Sequence, residues 1–160
     1  MHARPQAGRE AVPAPVGAEE ISMEAKALLA QARNAAFAEA ANGRLGRGLS
    51  LLRDALEQQP MSHDLLSDLA ALSLAAGELA QAQSYAQQAL HVDPDHGPSL
   101  YTLGFALSGQ GELRRAREVL IRLGTGAAQE SLLAEAAELR PLVRVELARV
   151  EGALAERGQA

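Results

Sequence analysis

From Ile21 onward, apolar and small residues recur at intervals of three and four, the spacing that gathers one face of an α-helix. The runs are cut at regular places. Gln59-Pro60 and Asp93-Pro94 stop the preceding helix, because proline disfavours α geometry in the residue before it. Ala76-Gly77 and Gln110-Gly111 permit the positive φ on which a helix ends. The pattern predicts helices over 21–41, 45–58, 63–76, 79–91, 97–109 and 112–123, with a turn at Asn42-Gly43. Connections of two to five residues fold successive helices into antiparallel hairpins.

The cuts themselves repeat. Gly43-Arg44-Leu45, Gly77-Glu78-Leu79 and Gly111-Glu112-Leu113 follow one another at 34-residue intervals. Pro60 and Pro94 keep the same beat, with Ala128 at the third place. A fixed period of this size means stacked supersecondary units, each unable to bury its apolar face alone. The units run 29–62, 63–96 and 97–130. Their eighth positions are Ala36, Ala70 and Gly104, and their twentieth are Gly48, Ala82 and Ala116, small residues that let paired helices approach closely. Around them sit Leu52, Leu56, Leu66, Leu69, Leu90, Leu100, Leu103 and Leu120.

This arrangement resembles the tetratricopeptide repeat family over residues 29–130, down to the proline at position thirty-two. Repeats two and three carry the likeness. Repeat one has Ala32 and Ala35 at normally bulkier sites, and no repeat has the family's tryptophan at position four or tyrosine at position eleven. In repeat three, Gly124-Thr125-Gly126 replaces the usual helix end. The resemblance implies an all-α fold, a right-handed superhelix of antiparallel helix hairpins whose first helices line a concave groove.

The ends differ from the middle. Residues 1–20, with Pro5, Pro13 and Pro15 and no apolar period, read as a disordered tail before a repeat domain over 21–160. Residues 129–157 lose the beat, and 131–157 read as a capping helical segment in which Pro141 either kinks a helix or starts a second one. Val143, Leu147, Val150 and Leu154 form a stripe opposite Arg144, Arg149, Glu151 and Arg157. Capping the open edge of the stack is its simplest role, and a homodimer surface is the alternative.

Composition narrows the function. Alanine and leucine dominate a chain of 160 residues without cysteine, which removes disulfides, zinc–thiolate sites and cysteine nucleophiles. Leu69 to Ala76, interrupted by Ser73, is the longest apolar stretch, too short to cross a membrane, and the amino terminus shows no apolar core of a secretory signal. A cytoplasmic protein is expected. One lysine beside fourteen arginines suggests a GC-rich bacterial genome. Of the net charge of −5, all falls on residues 63–96, through Asp64, Asp68, Glu78, Asp93 and Asp95. Arg114, Arg115, Arg117 and Arg122 are the basic cluster, interrupted by Glu112 and Glu118, and read as a solvated helix face. No basic face suited to nucleic acid emerges.

Groove positions implied by the resemblance include the fifth and ninth of each repeat, one helical turn apart. They are Arg33 and Phe37, Ser67 and Ala71, and Tyr101 and Phe105. Three of the chain's four aromatics thus share a face, with Ser67 and Ala71 leaving a depression between them. Aromatics beside small residues suit apolar anchors of a peptide, unless the rings only fill packing between repeats. Asp64 and Asp68 could pair with a basic residue flanking the anchor, or Asp64 could serve the helix dipole behind a Ser62 N-cap. Some members of the family grip the carboxylate ends of heat-shock chaperone tails through lysine, asparagine and arginine. Here Phe37 and Asp68 stand where asparagines should be, and Thr102 replaces a cation, so that activity is not expected.

Three further constellations read as structure. His91, Asp93, Asp95 and His96 lack ligand spacing, and His63 lies a repeat away; Asp-Pro-Asp is ordinary turn chemistry, so no metal or cofactor is expected. Gly43-Arg44-Leu45-Gly46-Arg47-Gly48 lacks the flanking strand of a dinucleotide loop and reads as a loose turn that lets the first hairpin open readily. Convergent catalytic groups are not evident, so no enzyme is expected. The expected function is a non-catalytic adaptor that binds a segment of another protein in the concave groove. Size, acidity and layout also resemble the small cytosolic chaperones of bacterial type III secretion translocators. An assembly scaffold acting through its ends or convex face is the other alternative.

Overall fold

The computed structural model describes residues 15–158. Eight α-helices follow one another: α1 (Pro15–Ala41), α2 (Leu45–Gln58), α3 (His63–Ala75), α4 (Leu79–Val92), α5 (Gly97–Gly109), α6 (Leu113–Arg122), α7 (Gly126–Ala136) and α8 (Arg140–Glu156). A turn of 3-10 helix, Ala137–Leu139, joins the last two. No strand occurs among the described residues. The six helices read from the pattern are present within a residue or two, except that α1 starts at Pro15, inside the segment expected to be a tail. Proline suits a helix start, where its missing N–H is not needed, and Ala18, Glu19 and Glu20 favour helix. The first fourteen residues of that expected tail lie outside the described residues.

The repeating glycines end their helices in one way. Gly43, Gly77 and Gly111 have φ of 83°, 78° and 83°, a conformation that an L side chain resists. Beyond Gly77 the Glu78 N–H donates to the Ser73 carbonyl at 2.9 Å, and beyond Gly111 the Glu112 N–H donates to the Leu107 carbonyl at 2.9 Å. These bonds satisfy the last carbonyls of α3 and α5 and turn the chain back on itself. At the other end of α3, the Ser62 hydroxyl accepts from the Leu65 N–H at 3.3 Å, the expected N-cap.

The hairpins stack in order, α3 against α2 and α5 against α4, with α3, α5 and α7 side by side. Small residues sit at the crossings. A Cβ on Gly48 would meet the Ala36 carbonyl oxygen at 2.7 Å, and one on Gly104 would meet Leu120 at 2.7 Å. Ala36, Ala70, Ala82 and Ala116 are fully buried. Two apolar clusters result. One joins α1, α2 and α3 through Ala36, Leu49, Leu52, Leu65, Leu69 and Leu72. The other runs from α3 through α8 and includes Leu100, Leu107, Leu120, Leu132 and Leu154. Tyr85 packs against both.

Pro141 lies in the first turn of α8 and so starts a second helix rather than kinking one. The stripe of Val143, Val150 and Leu154 is buried in the larger cluster, with Leu147 half-buried beside them. It is therefore covered within the chain and offers no face to a second copy. No helix among the described residues is long and apolar enough to cross a membrane.

Candidate functional site

Five of the eight groove residues read from the sequence meet at one cleft of about 360 Å³. Arg33 and Phe37 come from α1, and Asp64, Ser67 and Asp68 from α3. The far wall is His96 and Pro98 at the start of α5, with Glu135, Ala136, Glu138 and Leu139 from the capping segment. The sequence pattern did not indicate that wall, because residues 131–157 follow no repeat whose register could place them. Phe37, at 40 % exposure, is the aromatic that lines the cleft.

The cleft is acidic. Asp64, Asp68, Glu135 and Glu138 line it together with one guanidinium, Arg33. Arg33 donates through Nε and a terminal nitrogen to the two Asp68 carboxylate oxygens at 2.5 and 3.3 Å, and lies 3.7 Å from Asp64. Burial pushes the Asp68 carboxyl above its ordinary value, although the Arg33 guanidinium pulls the other way. The same hydrogen bond to Asp68 raises the Arg33 guanidinium and keeps it cationic. Asp68 thus already has its basic partner within the chain. Asp64, half-buried in the first turn of α3, keeps an open side toward the cleft.

Tyr101 and Phe105 lie elsewhere. Their rings stack at 4.4 Å between centroids with 28° between planes, half-buried against the larger apolar cluster. Burial raises the Tyr101 hydroxyl above its ordinary value, and Glu146 of α8 adds to that shift. Glu146 also accepts from the Ser108 hydroxyl, which ties α8 to the end of α5, and from Arg149 within its own helix. The capping helix thus runs beside the third repeat's aromatic pair. Ala71 is exposed and is not among the cleft's walls.

Two histidines that lie a repeat apart in the sequence come together. His63 begins α3 and His96 caps α5, and the stacking of those helices sets their rings edge to face with centroids 5.0 Å apart. A separation of one repeat in sequence is adjacency in a solenoid, so the repeat register itself could have matched the two positions.

Residues 73–140 match the family model described as "Tetratricopeptide repeat". Solved structures share the fold. The first TPR of Spaghetti (RPAP3), bound to an HSP90 peptide SRMEEVD, is 17 % identical over 84 % of this chain and 95 % of that one, with a TM-score of 0.66. The Sgt2 TPR domain from Aspergillus fumigatus is 20 % identical over 86 % of this chain and 83 % of that one, with a TM-score of 0.63. The second TPR domain of human RPAP3, in complex with an HSP70 peptide SGPTIEEVD, is 15 % identical over 79 % and 98 %, with a TM-score of 0.63. No curated protein matches the sequence. Residues 73–140 are thus similar to the tetratricopeptide repeat family, and the chain shares the α-solenoid fold of these domains.

Proposed function

We propose that the chain is a non-catalytic adaptor that holds a segment of another protein in the cleft between α1, α3 and the capping segment. The segment presents an apolar side chain to Phe37 and a basic one to Asp64, Glu135 and Glu138. The carrying observation is the charge of this cleft, which is lined by four carboxylates and one arginine that is itself paired. Charge complementarity of this kind selects partners more than it adds affinity. It also sets this chain apart from the two RPAP3 domains, whose bound peptides SRMEEVD and SGPTIEEVD carry acidic ends.

The test compares wild type with Phe37→Ala/Asp64→Asn in a pull-down from lysate of the source organism, followed by direct titration of the captured segment. Both substituted side chains are partly exposed, so the helices should persist. A partner captured by wild type alone, whose binding segment pairs apolar with basic residues, supports the reading. Equal capture by both proteins, or preference for an acidic tail, overturns it. Tyr101→Ala/Phe105→Ala is the poorer probe, because those rings pack on the core.

The narrower reading, a chaperone of secreted translocator proteins, adds that the partner needs the cleft to remain soluble, which co-expression measures directly. Scaffolding through an end has its own observation. Ala25, Leu28, Leu29 and Ala32 of α1 and Leu51 and Ala55 of α2 line a recess of about 490 Å³, and Leu28 is largely exposed. Mass that grows with concentration in light scattering favours this reading, and constant mass argues against it.

A further inference from the structure

We propose that His63, Asp64 and His96 form a binding site for a divalent d-block cation of the zinc class, at the corner where the second and third repeats stack. It shares Asp64, His96 and Glu135 with the cleft proposed for the partner segment, and its test reads the cation alone. Each of the three residues offers one ligand atom, and these atoms all lie within 4.8 Å of one another. Around a tetrahedral zinc with bonds of about 2.0–2.1 Å, neighbouring ligand atoms sit about 3.3 Å apart. Rotation of the half-exposed His63 side chain would bring its nitrogen toward that spacing.

The two histidines have different parts. His96 is only 2 % exposed and is positioned before any cation arrives, its Nδ1 lying 2.7 Å from the Ser99 hydroxyl. Its Nε2 is directed to Glu135, 3.2 Å away. A hydroxyl both donates and accepts, so Ser99 serves either tautomer. Without metal, Nε2–H donates to Glu135 and the Ser99 hydroxyl donates to Nδ1. With metal, the proton resides on Nδ1 and is accepted by Ser99, while the Nε2 lone pair goes to the cation. A metal-bound histidine held by a hydrogen bond on its other nitrogen is the usual outer-shell arrangement.

His63 is half-exposed, its Nε2 being 3.6 Å from an Asp64 oxygen, and it supplies the mobile ligand at the mouth of the site. Glu135 stands beside His96 as a fourth donor or as the base of its ring. Two imidazoles with carboxylates suit zinc and its neighbours, whereas calcium and magnesium take all-oxygen shells. The acidic cleft beside the site raises the local concentration of cations.

Isothermal titration of the full chain with zinc chloride, after dialysis against a chelator, tests the site. The expected result is one zinc per chain with micromolar or tighter affinity, no heat from magnesium, and tetrahedral visible bands with cobalt. His63→Gln and His96→Gln should each weaken zinc by about 100-fold, and Ser99→Ala by about 10-fold, the range seen for ligand-orienting partners. His91→Gln, whose ring is outside the cluster, should bind as wild type does. Since His96 is buried and its variant could misfold, His63→Gln with unchanged helicity decides the matter. Absence of binding at millimolar zinc, or unchanged affinity in His63→Gln, would overturn the proposal and leave the two rings as a packing contact.

Discussion

At the scale of single residues, the packing separates glycines that look alike in the sequence. A Cβ on Gly97 would lie 2.3 Å from the Leu132 backbone nitrogen, where α5 meets α7, and neither backbone can give way cheaply. Gly97→Ala should therefore lower stability by about 1–3 kcal/mol in chemical denaturation. Gly46, in the first turn of α2 with nothing near its absent Cβ, should gain up to about 1 kcal/mol on the same change. Equal effects at both positions would contradict this picture. The Arg33–Asp68 pair makes a second prediction at this scale. Arg33→Ala strands a carboxylate that is 7 % exposed and should cost about 1–3 kcal/mol, while adding Asp68→Asn should restore much of it. Additive losses in the double-mutant cycle would show that the pair does not interact. The place of Arg33 in its repeat marked it as a groove residue, and Asp68 was expected to meet a basic residue of the partner. Only the stacking of α1 on α3 decided that they bind each other.

At the scale of elements, helix boundaries were legible because their signals are local. Gly77 and Gly111 end helices through their own φ, and Ser62 caps α3 through a bond three residues long. The terminal hairpin was less legible, since its position depends on contacts with residues far away in sequence. Glu146 shows what holds it. Its carboxyl lies below the ordinary value of 4.5, first through the Arg149 hydrogen bond and then through the Ser108 hydroxyl. A carboxyl lowered in the folded state contributes stability above its unfolded value and loses it as the pH falls through the folded one. Glu146→Gln should therefore cost about 1 kcal/mol at neutral pH, and the gap to wild type should narrow as the solution is acidified through the carboxylate range. Denaturation curves at a series of pH values check the sign. A gap that widens in acid would place the charge elsewhere.

At the scale of the whole molecule, the two apolar clusters and their single shared aromatic bear on cooperativity. Tyr85 packs against both, so Tyr85→Ala removes contact from each side of one boundary. The loss should be about 3 kcal/mol, as for other large-to-small changes at packed sites, and should separate thermal unfolding into two steps. The amino-terminal step should come first. The recess between α1 and α2 and the open space around Gly46 leave that hairpin the less consolidated. Hydrogen exchange provides the second view: residues 44–52 should exchange faster than 112–120, and equal protection would refute the ordering. Intact single-step unfolding of the tyrosine variant would mean that backbone stacking alone couples the halves.

Helices, turns and repeat phase all follow from interactions within about four residues or from small side chains recurring at one period. A linear sequence displays such features directly, and so residues 21–123 could be divided into their helices and hairpins before any coordinates. Helical spacing likewise fixes which side chains of α1 and of α3 share a face. The cleft's other wall, the burial of Tyr101 and Phe105 beside α8, and the meeting of His63 with His96 were decided by the tertiary structure. Each depends on how one hairpin is set against another, an arrangement governed by the summed packing of residues thirty or more positions apart. Chemistry here arises at those junctions: Asp68 becomes a buried partner of Arg33, and His96 becomes an oriented ring facing carboxylates, only once the repeats are stacked.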